Sequence, residues 1–259
     1  MMIISERING LFVSIGKAID AKDAKKIQSA VIRQIECGSD VLDINIGPGR
    51  GAEGPKTMEW LVKTVQEVTD VQLCIDTPNI KTMEAGLKAC KNAAMINSTT
   101  AEAEKMNSLF PLASKYDADI ICLTMDERGV PNDADSRAEM AMLMITTAME
   151  YGITTDRILL DPLVLPAAAA QDQGKKVIDS IRMFQMLDDP APRTVVGLSN
   201  VSNGASGRSL INRTYLAMLA GAGLSAAIMD PEDKELMDVM KTIDVLMNKK
   251  LYCNDYLKV

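Results

Sequence analysis

Carboxylate and amide side chains stand at the ends of several short apolar stretches of this chain. The stretch LCID at 73–76 has the pattern of a buried strand that stops at Asp76, and the TPN that follows breaks the strand and starts a helix. The same arrangement recurs at four other places, with the polar residues Asp43 and Asn45, Asn97, Asp161, and Ser199 and Asn200. This series predicts a site assembled from the ends of several parallel strands.

These residue types suit the recognition of a flat, nitrogen-rich ring. A carboxylate accepts two parallel N–H bonds, and an amide supplies both a donor and an acceptor. Asp76, Asn97 and Asp161 together would match a planar heterocycle such as a pterin or a guanine-like ring, and their spacing does not choose between the two. A single Asp or Asn at a strand end could simply cap the next helix, but capping does not require acids and amides at nearly every strand end.

The chain contains no histidine, and this excludes two classes of site. Serine or cysteine triads with an imidazole base are ruled out, as are metal sites built on histidine. Acid–base chemistry therefore falls to carboxylates, amides, hydroxyls, lysine or the substrate. We expect no tightly bound metal, since the five cysteines are scattered singly without a CxxC pair.

Composition bears on partners and location. The 28 basic and 35 acidic residues give a net charge of -7, and no Lys/Arg cluster could neutralise a run of phosphates, so we expect no nucleic-acid partner. No apolar run approaches the roughly 20 residues needed to span a bilayer, and the first residues, MMIISERING, lack the features of a signal peptide. The sequence therefore predicts a cytoplasmic protein with no membrane partner.

Short apolar runs alternate with helical patterns along the whole chain. The predicted strands are 2–5, 40–46, 71–76, 93–97, 119–124, 157–161, 193–198 and 225–229. The predicted helices run from a cap at Asp23 to Cys37, and over 57–68, 79–90, 101–116, 135–151, 173–187, 209–222 and 232–248. Eight such units predict a single (β/α)8 TIM barrel over residues 1–259, with a doubly wound open sheet as the alternative; both bind ligands beyond the carboxyl ends of the strands. No Rossmann GxGxxG and no Walker loop is present, which argues against a nucleotide cofactor.

Six strings carry a family resemblance that runs collinearly along essentially the whole chain. They are ERING at 6–10, LDINIGP at 42–48, CIDTPN at 74–79, AMINST at 94–99, DPLVLP at 161–166 and GLSNVSNGASGRSLINRTYL at 197–216. With these strings the chain resembles the methyltetrahydrofolate:corrinoid protein methyltransferases. It is more distantly similar to dihydropteroate synthase and to the folate module of cobalamin-dependent methionine synthase, which share a pterin-binding (β/α)8 barrel.

The resemblance implies roles for individual residues. Asp76, Asn97 and Asp161 match the positions that hold the pterin ring, and Asn200 matches the asparagine that hydrogen-bonds near the folate N5 atom. Gly197, Ser199 and Arg208 match neighbouring positions of the folate site. Asn203 also belongs to this group, although it stands where close relatives have a glutamine. Glu6 and Asp43 match family positions at the barrel mouth.

The reaction that the resemblance implies is methyl transfer between N5 of tetrahydrofolate and the cobalt of a cobalamin carried by a partner corrinoid protein, in an undetermined direction. Asn200, Asp76 and Asp161 would be its catalytic residues, with an Asp/water network supplying the proton, and the family resemblance suggests a homodimer. One alternative is a dihydropteroate synthase-like enzyme, disfavoured because no basic, phosphate-gripping loop is visible. The other is a non-catalytic folate-binding or corrinoid-protein docking module.

Overall fold

Eight parallel strands close into a barrel in the computed structural model of the chain, which describes residues 1–258. The strands are β1 (Met2–Asn9), β2 (Val41–Asn45), β3 (Gln72–Asp76), β4 (Met95–Thr100), β5 (Asp119–Leu123), β6 (Ile158–Asp161), β7 (Arg193–Gly197) and β8 (Ala226–Met229). Each strand pairs in parallel with the next along the chain, and β1 pairs with β8 to close the ring. The predicted (β/α)8 barrel is therefore confirmed.

Helices connect the strands and cover the outside of the barrel. They are α1 (Val13–Asp20), α2 (Ala24–Glu36), α3 (Gly54–Gln66), α4 (Ile80–Ala89), α5 (Ala103–Lys115), α6 (Ala134–Glu150), α7 (Gln173–Phe184), α8 (Arg208–Gly221) and α9 (Lys234–Leu246). Within residues 1–258, no helix is both long enough and apolar enough to cross a bilayer.

The predicted elements all form near their expected positions, and two details differ. Asp23 caps α2 as expected, since its Oδ1 accepts a bond of 3.1 Å from the Lys26 backbone N–H. The helix α1, however, was not predicted, because it is only 8 residues long and begins without a side-chain cap. The first strand continues through Asn9 rather than ending at 5, across a shift of register that follows Ser5. Val259, the last residue of the predicted domain, lies outside the described residues.

One buried layer of side chains fills the middle of the barrel. We call it the apolar layer, and it takes one residue from each strand: Ile4, Val41, Cys74, Met95, Ile121, Leu159, Val195 and Ala226. Residues from all eight strands of a closed barrel can pack against one another only on its axis. The apolar layer therefore separates the two ends of the barrel interior.

An ion pair occupies the interior at the amino-terminal ends of the strands. Arg193 Nη2 lies 3.0 Å from Asp119 Oδ2, and Gln72 Nε2 donates to the same oxygen over 3.4 Å. All three residues lie two positions before a member of the apolar layer, so they share its inward direction. The acid at this end of the barrel thus has its own cation.

Candidate active site

The polar residues predicted from the strand ends form the next interior layer toward the mouth, the end of the barrel where the strands' carboxyl ends lie. Side chains alternate along a strand, so a residue two positions after a member of the apolar layer also points inward. Six of these positions hold polar residues or glycine: Glu6, Asp43, Asp76, Asn97, Asp161 and Gly197. The structure thus brings these predicted site residues together, and we call the set the mouth layer.

Asp76 is held by an asparagine of the neighbouring strand. Its Oδ2 accepts a 2.7 Å hydrogen bond from Asn45 Nδ2, and Asn45 Oδ1 in turn accepts one of 2.7 Å from the Gly47 backbone N–H. Burial raises the pKa of the Asp76 carboxyl, and the Asn45 bond acts against this rise. The other carboxylate oxygen, Oδ1, takes no bond within residues 1–258 and is not sealed from solvent.

Asp43 is the most deeply buried acid of the mouth layer. Its side chain is almost fully buried, and its Oδ1 accepts a hydrogen bond of 3.0 Å from Asn97 Nδ2. Burial raises the pKa of Asp43 well above its usual range, and the adjacent charge of Asp76 raises it further. Asp43 therefore orients Asn97 from the inner side of the barrel. Its own carboxyl group keeps a proton to a higher pH than an exposed carboxyl does.

Asp161 combines a buried carboxyl with a turn that it stabilises. Its Oδ1 accepts a 2.7 Å bond from the backbone N–H of Leu163, a non-glycine residue at a φ of 63°. A left-handed backbone at leucine is costly, so this bond fixes the start of the loop after β6. Burial raises the pKa of Asp161 to about 7. No donor within residues 1–258 bonds its Oδ2, which, like Asp76 Oδ1, is not sealed from solvent.

Glu6 links β1 to the turn that follows β7. Ser199 Oγ donates a hydrogen bond of 2.8 Å to Glu6 Oε1. Burial raises the pKa of Glu6 and the Ser199 bond opposes that rise, while the charge of Asp230 raises it again. Ser199 and its neighbour Asn200 are in this way anchored to β1, across the intervening strand β8.

Asn200 lies exposed beside the mouth, where it packs on the glycine of the mouth layer. A Cβ at Gly197 would lie 2.9 Å from Asn200 Nδ2, so a larger residue at 197 would displace the amide. The Oδ1 of Asn200 accepts a long bond of 3.5 Å from Asn203 Nδ2. Asn203 in turn accepts from Arg208 Nη2 over 3.2 Å, while Arg208 Nε donates to Ser202 Oγ over 3.1 Å. This chain of bonds reaches the Oδ1 of Asn200 only through a long contact, and within residues 1–258 the Nδ2 of Asn200 donates no hydrogen bond.

The sequence did not lead us to Arg137, the largest fully buried side chain of the described residues. Arg137 Nη2 donates to Gln173 Oε1 over 2.7 Å, which ties the first turn of α6 to the start of α7. Its positive charge lowers the pKa of Asp161 and so opposes the effect of burial. The helical periodicity of the sequence could have indicated that Arg137 is buried, because it lies on the same buried stripe of α6 as Ala141 and Met144.

Within residues 1–258, no Lys or Arg forms an ion pair with an acid of the mouth layer, unlike at the opposite end of the barrel, where Arg193 pairs with Asp119. Burial raises the pKa of all four carboxyls of the mouth layer, those of Glu6, Asp43, Asp76 and Asp161. Perturbed carboxyls gathered in one cleft are typical of functional sites. Within residues 1–258, no group of three or more Cys, Asp or Glu side chains is placed to hold a metal ion. The absence of a tightly bound metal stays a prediction.

Comparison with known proteins gives a matching family and several similar proteins. The family described as pterin binding enzyme matches residues 13–230. The chain is 30% identical, over 100% of its length and 95% of the relative's, to a protein of Eubacterium limosum named methylcorrinoid:tetrahydrofolate methyltransferase. It is 27% identical to the methionine synthase of Mycobacterium leprae and 25% identical to that of Mycobacterium tuberculosis. Those two matches cover 88% of this chain and 20% of each synthase.

A solved structure has the same fold. Dihydropteroate synthase of Xanthomonas albilineans, determined with 4-aminobenzoic acid, superposes with a TM-score of 0.67 over 88% of both chains. The two sequences are 18% identical, so this likeness concerns the barrel alone.

The burial of Asp161 yields a prediction about stability. Because the pKa of this carboxyl rises from 3.8 to about 7 on folding, the folded protein holds the proton more tightly than the unfolded chain, and stability falls as pH rises through that window. Asp161→Asn keeps an acceptor for the Leu163 N–H but cannot ionise. At pH 8 we expect this variant to raise the free energy of unfolding by roughly 1 to 3 kcal/mol.

Urea unfolding at pH 8 and pH 4 measures the effect, and the gain should shrink at pH 4, where Asp161 of the wild type is protonated. Asp70→Asn, which changes an exposed carboxylate, is the matched control and should leave the free energy of unfolding nearly unchanged at both pH values. An Asp161→Asn variant that is less stable than the wild type at pH 8 would contradict the prediction.

Proposed function

The chain belongs to the pterin-binding enzyme family, and from this premise we propose that it transfers a methyl group between N5 of tetrahydrofolate and the cobalt of a corrinoid carried by a partner protein. The observation that carries the proposal is the mouth layer beside Asn200: acids and an amide suited to a pterin, next to an amide whose free atom is a donor. The name of the Eubacterium limosum relative supports the same chemistry, and the net direction of transfer stays open.

Asp76, Asn97 and Asp161 are the proposed pterin-binding groups. The amino group and ring N–H of a pterin form a row of donors, and a carboxylate oxygen is their natural acceptor. Asp76 and Asp161 each have one oxygen bound to the protein and one that no group among residues 1–258 bonds, so each is oriented before the ligand arrives. Asn97 is oriented in the same way by Asp43. Such preorganisation lowers the cost of ordering the site on binding.

Asn200 is the proposed group at N5. When the methyl group leaves for cobalt, N5 is a poor leaving group, so a hydrogen bond that strengthens as the nitrogen becomes basic lowers the barrier. Within residues 1–258 the N–H group of Asn200 donates no hydrogen bond, and its Oδ1 has a long contact with Asn203, which Arg208 holds. An amide does not release a proton, so the proton comes from an acid or from water in contact with one. Asp43, Asp76 and Glu6 suit that supply because burial raises the pKa of each.

The open mouth suits a large second substrate. Cobalt, methyl carbon and nitrogen must lie in line for displacement, so the corrinoid has to reach the folate from outside the barrel. Asn200, Asn203 and Arg208 are exposed, which leaves this approach free. The homodimer and the cytoplasmic location remain predictions.

One assay tests the proposed function directly. The purified chain, with methyltetrahydrofolate and free cob(I)alamin, should produce methylcobalamin, and the loss of the cob(I)alamin absorbance follows the reaction. Absence of transfer in both directions would contradict the proposal. Turnover of a pterin pyrophosphate with 4-aminobenzoate would instead support a dihydropteroate synthase reaction, and folate binding without turnover of either kind would indicate a binding module.

Truncation of the pterin-binding acids should weaken folate binding. Asp76→Ala or Asp161→Ala removes a charge-assisted bond and leaves donors of the buried ring unpaired, which is expected to cost roughly 2 to 4 kcal/mol of binding free energy. Calorimetric titration with tetrahydrofolate measures it. Asp70→Ala, at an exposed carboxylate, serves as the control, and unchanged affinity in both site variants would move the pterin site elsewhere.

Asn200→Ala should slow the chemical step more than it weakens folate binding. Only the difference between the ground state and the transition state affects the transfer rate, and the loss of one preorganised contact is worth on the order of 2 to 4 kcal/mol, or roughly 30-fold to 1,000-fold in rate. Single-turnover methyl transfer to cob(I)alamin at saturating folate separates the two effects. A raised folate dissociation constant with an unchanged transfer rate would reduce Asn200 to a binding residue.

A further inference from the structure

We propose that Leu11, Phe12 and Val13, which we call the docking tip, form the surface on which the corrinoid-carrying partner protein lies during methyl transfer. This inference rests on the proposed function and goes further by assigning the partner a place on the chain. The three residues are consecutive, apolar and exposed, with 68%, 37% and 72% of their surfaces accessible. A run of exposed apolar residues at a loop is unfavourable in water unless another molecule covers it.

The docking tip belongs to a part of the chain that the barrel itself does not need. A (β/α)8 barrel uses one helix after each strand, whereas β1 is followed by both α1 and α2. The extra segment begins at the carboxyl end of β1, so it lies at the mouth. Its inner side, including Ile15 and Ile19, is buried against the barrel, while the docking tip is exposed to solvent.

Several contacts hold the docking tip in one conformation. Asn9 fixes the turn, since its Oδ1 accepts from the Leu11 N–H over 2.9 Å and its backbone oxygen accepts from the Phe12 N–H over 3.0 Å. The Arg7 guanidinium lies 4.5 Å from the centre of the Phe12 ring and 3.7 Å from Asp230. An apolar surface that is already ordered loses little entropy on binding, which favours association.

Close backbone packing beneath the tip adds to this rigidity. The Gly10 N–H donates 2.8 Å to the Asn45 carbonyl oxygen, and a Cβ at Gly10 would lie 2.3 Å from the Ile46 carbonyl oxygen. A Cβ at Gly16 would likewise lie 2.6 Å from the Gly10 carbonyl oxygen. The two glycines therefore let the loop and α1 sit directly on the end of β2.

The position of the tip relates it to the reacting nitrogen. Glu6, on the same strand, is hydrogen-bonded to Ser199, the residue before Asn200, so the tip and the proposed N5 group flank the same side of the mouth. On its other side, Leu11 borders a recess of about 320 Å³ whose walls include Pro48 and Pro78. A partner side chain could enter this recess beside the tip.

The proposed methyl transfer to cobalt indicates which molecule covers the docking tip. Cobalt has to come within bonding distance of the methyl group on N5, so the face of the partner that carries the corrinoid must cover the mouth and its edges. A second copy of this chain over the tip would obstruct the approach to its own folate site. An apolar tip of three residues also has the character of a small hot spot, in which a few buried side chains supply most of the binding energy.

The experiment compares free and protein-bound corrinoid in one assay. The variant Leu11→Glu/Val13→Glu and its milder counterpart Leu11→Ser/Val13→Ser are assayed for methyl transfer to free cob(I)alamin and to the corrinoid protein that the wild type methylates fastest. The matched control is Leu246→Glu at the end of α9, where the side chain is 78% exposed. This end of α9 lies away from the mouth, at the amino-terminal ends of the strands, because Asp244 is 3.9 Å from the amino group of Met1.

We expect kcat/KM for the corrinoid protein to fall at least about tenfold in the glutamate variant and less in the serine variant. The rate with free cob(I)alamin, the folate dissociation constant and both activities of Leu246→Glu should stay unchanged. Equal loss with free and protein-bound corrinoid would overturn the docking role, as would no loss at all. A wild type that is no faster with any corrinoid protein than with free cob(I)alamin would also overturn it, and so would a glutamate variant that changes only the oligomeric state.

If the wild type transfers no methyl group even to free cob(I)alamin, the proposed function itself fails. The assay with free cob(I)alamin contains no partner protein, so its result does not depend on the docking tip. Failure of the proposed function is therefore distinguishable from failure of the docking surface.

Discussion

The alternation of side chains along eight closed strands is the constraint on which this site depends. One step of two residues separates the apolar layer from the mouth layer on six of the eight strands. The residue types along short runs of the chain therefore decide which side chains the barrel buries and which it presents at the mouth. The apolar layer supplies packing, whereas the mouth layer places four acids in a region where burial disfavours their charge. The closed barrel must stabilise this arrangement through its other contacts, because the acids oppose folding whenever they ionise.

The two ends of the barrel interior differ in how their buried acids are paired. At the amino-terminal ends of the strands, Asp119 is paired with Arg193, so its charge is neutralised within the fold. At the mouth, Asp76 and Asp161 each keep one oxygen that no group in the described part of the chain, residues 1–258, bonds, and the amides that orient them are neutral. Because a ligand with N–H donors supplies what the protein omits, the site is completed only when it is occupied.

Much of the fold could be predicted from the sequence, since the strands are continuous apolar runs and Asp23 stands directly before the helix that it caps. The helix α1 could not, because it is short, lacks a capping side chain and is positioned by the contact of Gly16 with Gly10, which only the folded chain creates. For the site, the strand-end pattern predicted that Asp76, Asn97 and Asp161 share one end of the barrel interior, while their role in binding stays a prediction. The depth of Asp43 depends on where β2 lies in the barrel, and Arg137 lies far from Asp161 in the sequence, so neither follows from a local pattern.

The apolar layer also determines the order in which the two substrates of the proposed reaction can bind and leave. Because it separates the barrel interior into two ends, a ligand of the mouth layer has the mouth as its one route in and out. In the proposed reaction the folate and the corrinoid-bearing protein share that entrance, and the folate has to occupy the deeper place. The order of events then becomes compulsory: folate enters before its partner arrives and departs only after the partner has left. The enzyme would thus pass through a ternary complex, and excess corrinoid protein would trap folate inside the barrel and slow turnover.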